Sequence, residues 1–206
     1  MLIMIWIKLG ILIIGFIYSG VLPFTVKRTL RQINFNLKEQ TLSFLSNKSL
    51  YGKRFTRGYK RLLFITALLH FAFFWLLSKY YDLGDNETYM QYTTYSFALL
   101  TLLAFVPHNI HPYSFKKLST TIQRLLHNLL GVVVFLTLPT LIIVFQAAIM
   151  ESQLFLGISG LVIISCTVLV TIGSLIKTGI SGITEILFIN GISIWSIFTS
   201  LLTMVL

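Results

Sequence analysis

Residues 154–176 read LFLGISGLVIISCTVLVTIGSLI, 23 residues without a single charged side chain. About 20 predominantly apolar residues make a helix long enough to cross the hydrocarbon layer of a bilayer. A helix also satisfies its backbone donors and acceptors internally, which lipid demands and an open loop cannot provide. This stretch is therefore expected to be a membrane-spanning helix, and its natural solvent is lipid.

Working outward, similar runs recur on both sides. Spans are expected at about 2–24, 62–81, 91–106, 128–148, 154–176 and 183–204. Of the 206 residues, 56% are hydrophobic and only 11% charged, and mean hydropathy is +0.86. Soluble domains carry about 25% charged residues, because water must be met on every side. The fold class expected is all-α: a polytopic bundle of about six transmembrane helices forming one membrane domain over residues 1–206. Lys8 interrupts the first run and is expected to snorkel toward the nearer face. The stretch before Lys8 is apolar rather than basic and no small-residue cleavage site follows, so a retained span is expected rather than a signal peptide. Pro139, between Thr137 and Thr140, is expected to kink the fourth span, with the hydroxyls satisfying freed backbone groups. Tyr80, Tyr81, Tyr89, Tyr92 and Tyr95 read as an interfacial belt.

The connections divide by charge. Residues 25–61 form the one long polar segment, with ten basic residues from Lys27 to Arg61 against one acid, Glu39. Leu30, Ile33, Leu37, Phe44 and Leu45 recur there at spacings that place several on one helical face. Both an amphipathic helix on the inner leaflet and a solvated loop fit that pattern. The loops after spans one, three and five hold 14 of the 16 basic residues, whereas the turns after spans two and four hold Asp82, Asp85, Glu87 and Glu151. Basic loops stay cytoplasmic. Both termini are accordingly expected outside, in a multi-pass protein of the cell's inner membrane.

Ionisable groups inside a bilayer are costly and each needs a reason. His108, His111, His127, Asn128 and Glu185 all fall near the cytoplasmic end of this topology, with Arg124 beside them. Histidines and a carboxylate could hold a metal that activates water. However, His108 and His111 are three apart and bracketed by Pro107 and Pro112, not at the i, i+4 spacing that places two ligands on one helical face. Glu185 also suits the first turn of its helix electrostatically, with Ser181 or Thr184 as cap. His70, in the middle of the second span, reads as a packed histidine bonded to a neighbouring helix. Cys166, the one cysteine, reads as a small residue for helix packing. No phosphate-binding loop, nucleophile elbow or catalytic cysteine setting occurs. No cofactor, metal or nucleic-acid partner is expected.

The segments Phe105-Val106-Pro107, Leu126-His127-Asn128-Leu129-Leu130-Gly131 and Gly182-Ile183-Thr184-Glu185, with Trp195 ten residues later, carry a resemblance. The C-terminal half resembles a bacterial six-span membrane family of unknown function, related in plan to the DRAM-type membrane proteins. The resemblance implies a six-helix fold and a non-enzymatic membrane role, with His127, Gly131, Glu185 and Trp195 as positions of interest. The long basic loop and the His108, His111 pair depart from that pattern.

The function expected is non-enzymatic, exerted through lipid and helix-helix contacts. Lys53, Arg54, Arg57, Lys60 and Arg61 would bind anionic lipid headgroups. Small residues of the fifth span (Gly157, Ser159, Gly160, Ser165, Cys166 and Gly173) would pack against a neighbour or a second copy. Two other readings stay open: an intramembrane metal-dependent enzyme with a His/Glu site, and a membrane effector or channel-like component of a multi-protein system. No span shows a polar stripe along its length, which speaks against a wide aqueous pore.

Overall fold

The computed structural model describes residues 2–83, 87–106, 108 and 118–206, with Glu87 described by its backbone alone. Among these residues there are helices and no strands. Helix α1 (Leu2–Phe16) passes through a π-helical turn, Ile17–Val21, into α2 (Leu22–Arg31). A short 3-10 turn, Leu42–Ser46, leads into α3 (Lys48–Tyr80); α4 (Glu87–Phe105), α5 (Leu118–Ile149), α6 (Leu154–Thr178) and α7 (Gly182–Val205) follow.

Five stretches are long and apolar enough to cross a membrane: Leu2–Arg31, Lys48–Tyr80, Leu118–Ile149, Leu154–Thr178 and Gly182–Val205. The remaining expected span corresponds to α4, which is helical but falls outside this set. Its first half carries Thr88, Gln91, Tyr92, Thr93, Thr94, Tyr95 and Ser96, and these dilute its apolar character.

Each long helix packs against two others: α1 on α3 and α7, α4 on α3 and α5, and α6 on α5 and α7. The packing order α1, α3, α4, α5, α6, α7 closes on itself as a ring. Aromatic side chains fill one half of its interior. Trp195 stacks on Phe74 at 5.5 Å between centroids and meets Phe73 and Phe145 edge-on, each at 6.0 Å. Such offset and edge contacts add about 0.5–1.5 kcal/mol per pair beyond burial. Gln146, fully buried in α5, lies between the Trp195 indole and the Leu156 carbonyl. With its amide oriented to satisfy both, it accepts from Trp195 Nε1 at 2.7 Å and donates to Leu156 at 2.9 Å.

Several sequence expectations change here. A polar stripe does exist, on α7: Ser193, Ser196, Thr199, Ser200 and Thr203 are all buried. Three of its hydroxyls bond across to other parts of the chain. Ser193 donates to the Tyr18 carbonyl in the π-helical turn, Ser200 to the Ile11 carbonyl, and Thr203 shares a hydrogen bond with the Tyr81 hydroxyl. Tyr89 leaves the expected interfacial belt for the core, donating to the Phe74 carbonyl at 2.6 Å. Gly157 and Gly160 face α5 of the same chain, where a Cβ on Gly160 would lie 2.2 Å from the Gln146 amide. Cys166 points outward instead of packing within the bundle. Helix α5 continues through Pro139; the hydroxyls of Thr137 and Thr140 bond the carbonyls of Val133 and Leu136, not the Phe135 carbonyl that proline leaves without its usual donor. Lys8 reaches the Tyr80 ring, 5.3 Å from its centroid.

Gly160→Ala should therefore destabilise the protein by about 1–3 kcal/mol, the range for overpacking a tight contact. Gly173→Ala, with nothing within 4 Å, should stay within about 0.5 kcal/mol of wild type, as surface substitutions do. Thermal unfolding in detergent measures both.

Candidate functional site

The long basic segment is neither a continuous amphipathic helix nor a free loop. Helix α2 carries it only to Arg31, and residues 32–47 then return as an irregular strap across the end of the bundle. Leu42 and Leu45 are buried there and Leu30, Ile33, Leu37 and Phe44 are half-buried, so Leu42 and Leu45 cover protein rather than the leaflet.

The strap is held on α7. The first N–H groups of a helix have no partner within it. Here Gly182 donates to the Gln40 carbonyl at 2.9 Å and Ile183 to the Leu37 carbonyl at 3.2 Å. Ser181 caps the same terminus, its hydroxyl accepting from Thr184 N–H at 3.4 Å. The Glu185 carboxylate accepts in turn from the Leu42 N–H. Gly182 makes this approach possible, since a Cβ there would sit 2.7 Å from the Gln40 oxygen.

At its far end the strap meets the histidines. The His108 N–H donates to Ser46 Oγ at 2.7 Å, and Asn47 Nδ2 donates to the His108 carbonyl at 3.4 Å. Asn47 also caps α3, accepting from Ser49 and Leu50. The His108 ring packs on Phe44 at 4.7 Å and on His127 at 5.1 Å. His127 Nδ1 lies 2.6 Å from the Val106 carbonyl. Burial first, then the neighbouring His127 and Arg124, pushes the His108 imidazole down to about 4. It is neutral at physiological pH.

The expected polar cluster therefore separates into parts. His108 and His127 adjoin, whereas Asn128 lies on the exposed side of α5. Glu185 belongs to the strap contact. Trp195 is in the aromatic core, ten residues and about 15 Å farther along α7 at 1.5 Å per residue. His111 lies outside the described residues. Among the described residues no three His, Cys, Asp or Glu side chains come together to hold a metal ion. His70 is buried against the Phe74 ring at 4.7 Å, and its Nε2 has no hydrogen-bond partner among the described residues.

Of the five cations expected to bind headgroups, Lys53, Arg54, Arg57 and Arg61 are exposed and Lys60 is half-buried. They follow Gly52, whose φ of 77° breaks the helical path between the strap and the long run of α3. Beside them the ring opens into a cavity of about 410 Å³. Its walls are apolar: Leu100 and Leu103 from α4, Val134 and Leu138 from α5, Phe188 and Ile192 from α7. Gln32, Arg54, Tyr59 and Glu185 border it nearest the strap, with Leu42 and Leu45. Neither Gln32 nor Tyr59 stands out in the sequence, because each joins the site only when α2 and α3 come together around this space.

Neither a family model, nor a curated protein, nor a solved structure matches the chain.

His108 makes stability depend on pH. The unfolded chain binds a proton at this residue near the ordinary 6.5 and the folded chain only near 4, so protonation favours unfolding between those values. The stabilising contribution is complete above about pH 6.5, declines as pH falls toward 4 and changes no further below it. Denaturant titrations from pH 4 to 7 should show a shallower slope in His108→Asn than in wild type.

Proposed function

We propose that this chain is a non-enzymatic, multi-pass protein of the inner membrane that acts by holding anionic lipid headgroups at its cytoplasmic face. In this reading α4 is the sixth span, both termini are outside, and the loops rich in lysine and arginine face the cytoplasm. Lateral contacts with a second copy or another membrane protein would use exposed small residues of α6, Ser165, Cys166 and Gly173. The resemblance to the six-span family of unknown function, related in plan to the DRAM-type proteins, agrees with counting α4 as a span.

One observation carries the proposal. Among the described residues, a bundle whose outer surface is apolar has its exposed cations gathered beside one end, with Lys79 at the far end of α3 the exception. Leu129, Leu136, Phe155, Val162 and Leu169 are each more than half exposed along α5 and α6, a surface suited to lipid tails and unsuited to water. Lys53, Arg54, Arg57 and Arg61 stand at the start of α3. Each basic residue near a negatively charged membrane surface is worth about 1 kcal/mol.

Protein purified in nanodiscs from an equal mixture of anionic and zwitterionic lipid should be enriched in the anionic species. Replacing Lys53, Arg54, Arg57, Lys60 and Arg61 with glutamine should return the ratio to that of the bulk mixture. Undiminished enrichment in the variant would refute the headgroup role. A protease site added at the N-terminus should be cut from outside intact cells; protection there would reverse the proposed orientation.

A further inference from the structure

The cavity has the chemical asymmetry of a lipid. Its deep walls are mostly carbon, from Leu103, Val134, Leu138, Phe188 and Ile192; the hydroxyls of Tyr18 and Ser193 that also line it are spent on the carbonyls of Thr66 and Tyr18, and the charged border lies toward the strap. Arg54 is the one cation that borders it among the described residues and is exposed there. The Glu185 carboxylate on the same border already accepts from the Leu42 N–H. A volume of about 410 Å³ lies toward the low end of the 300–1,000 Å³ typical of ligand sites. A space of that size suits a single acyl chain. The aromatic cluster lies just beyond this end of the cavity, since Trp195, stacked on Phe74, follows the lining residue Ile192 by one helical turn on α7.

We infer that this cavity binds a single-chain anionic lipid, with the acyl chain among α4, α5 and α7 and the acidic headgroup on Arg54. The inference rests on the lipid-contact reading above for its choice of an anionic occupant, and it adds the tail site that surface binding alone does not require. The neighbouring charge argues for the acidic headgroup: residues 27–61 carry ten basic side chains and one acid. An ionised hydrogen bond to Arg54 would then fix the head, while the apolar walls supply affinity for the chain.

The test uses full-length protein in detergent, native mass spectrometry, and myristate as probe with tetradecanol as its neutral counterpart. Wild type should hold one myristate per chain. Leu138→Trp and Ile189→Trp, which fill the cavity from different helices, should each lose binding of both probes by at least about tenfold, the scale of one displaced apolar contact set. Arg54→Gln should weaken myristate about tenfold and leave tetradecanol unchanged, as loss of one charge-assisted bond requires. Full myristate binding in a folded filling variant would overturn the site. Equal binding of the two probes, insensitive to Arg54→Gln, would overturn the headgroup assignment.

A second measurement does not depend on how the cavity-filling variants fold. In a Trp6→Phe, Trp75→Phe background, a nitroxide at the far end of a myristate chain should quench Trp195 more than one beside the carboxylate; the opposite order would refute the burial direction. Replacing Lys53, Arg57, Lys60 and Arg61 while keeping Arg54 separates the two proposals. Loss of anionic-lipid enrichment with myristate binding intact assigns the surface role to the other four cations and the cavity to Arg54. Absence of enrichment even in wild type, with myristate still bound, would refute the broader reading alone.

Discussion

The N-terminus of α7 imposes the constraint on which this end of the molecule depends. Its first N–H groups lack intrahelical partners, and leaving polar groups unpaired away from water costs about 1–3 kcal/mol each. Gly182 and Ile183 find their acceptors in the carbonyls of Gln40 and Leu37. The Glu185 carboxylate returns a bond to the Leu42 N–H. Two segments more than 140 residues apart in sequence are thereby joined through main-chain groups, with a glycine making the approach possible.

Much else is a consequence of that junction. With residues 37–42 fixed on α7, the 3-10 turn Leu42–Ser46 brings Leu42 and Leu45 over the cavity and Ser46 to the His108 N–H. Asn47 then both starts α3 and bonds the His108 carbonyl. The histidine pair is thus part of the framework that closes this end. The low proton affinity of His108 follows from its burial, since a charged imidazole would lose its water without gaining a counter-charge.

The opposite half of the ring is held by shape and a few polar bonds rather than by expulsion of water, because lipid tails are as apolar as the side chains they replace. Trp195, Phe73, Phe74 and Phe145 interlock there, and Gln146 joins α5 to both α6 and α7. Gly160 leaves the space that Gln146 occupies. Aromatic bulk in one half and aliphatic walls around an open volume in the other divide the interior into a filled part and a ligand-sized space.

The amino-acid sequence alone determined that this is a helical membrane protein, since uncharged runs such as 154–176 have one stable solvent and one way to satisfy their backbone there. It also narrowed the cap of α7 to Ser181 or Thr184 and determined the gathering of basic residues over 27–61, because these are local in the chain. Pairings between distant segments left no such mark. The spacing of Leu37, Phe44 and Leu45 fits a helix on a leaflet as well as a strap on a bundle, and Tyr89 reads as an interfacial tyrosine until its hydroxyl meets the Phe74 carbonyl. The stripe from Ser193 to Thr203 is not legible within its own helix, because hydroxyls on a helix declare their role only through what lies opposite. Tertiary structure decided these matters: the cavity, its Arg54 border and the strap over it arise where α2, α3, α4, α5 and α7 converge, and no periodicity within one helix encodes the face of another.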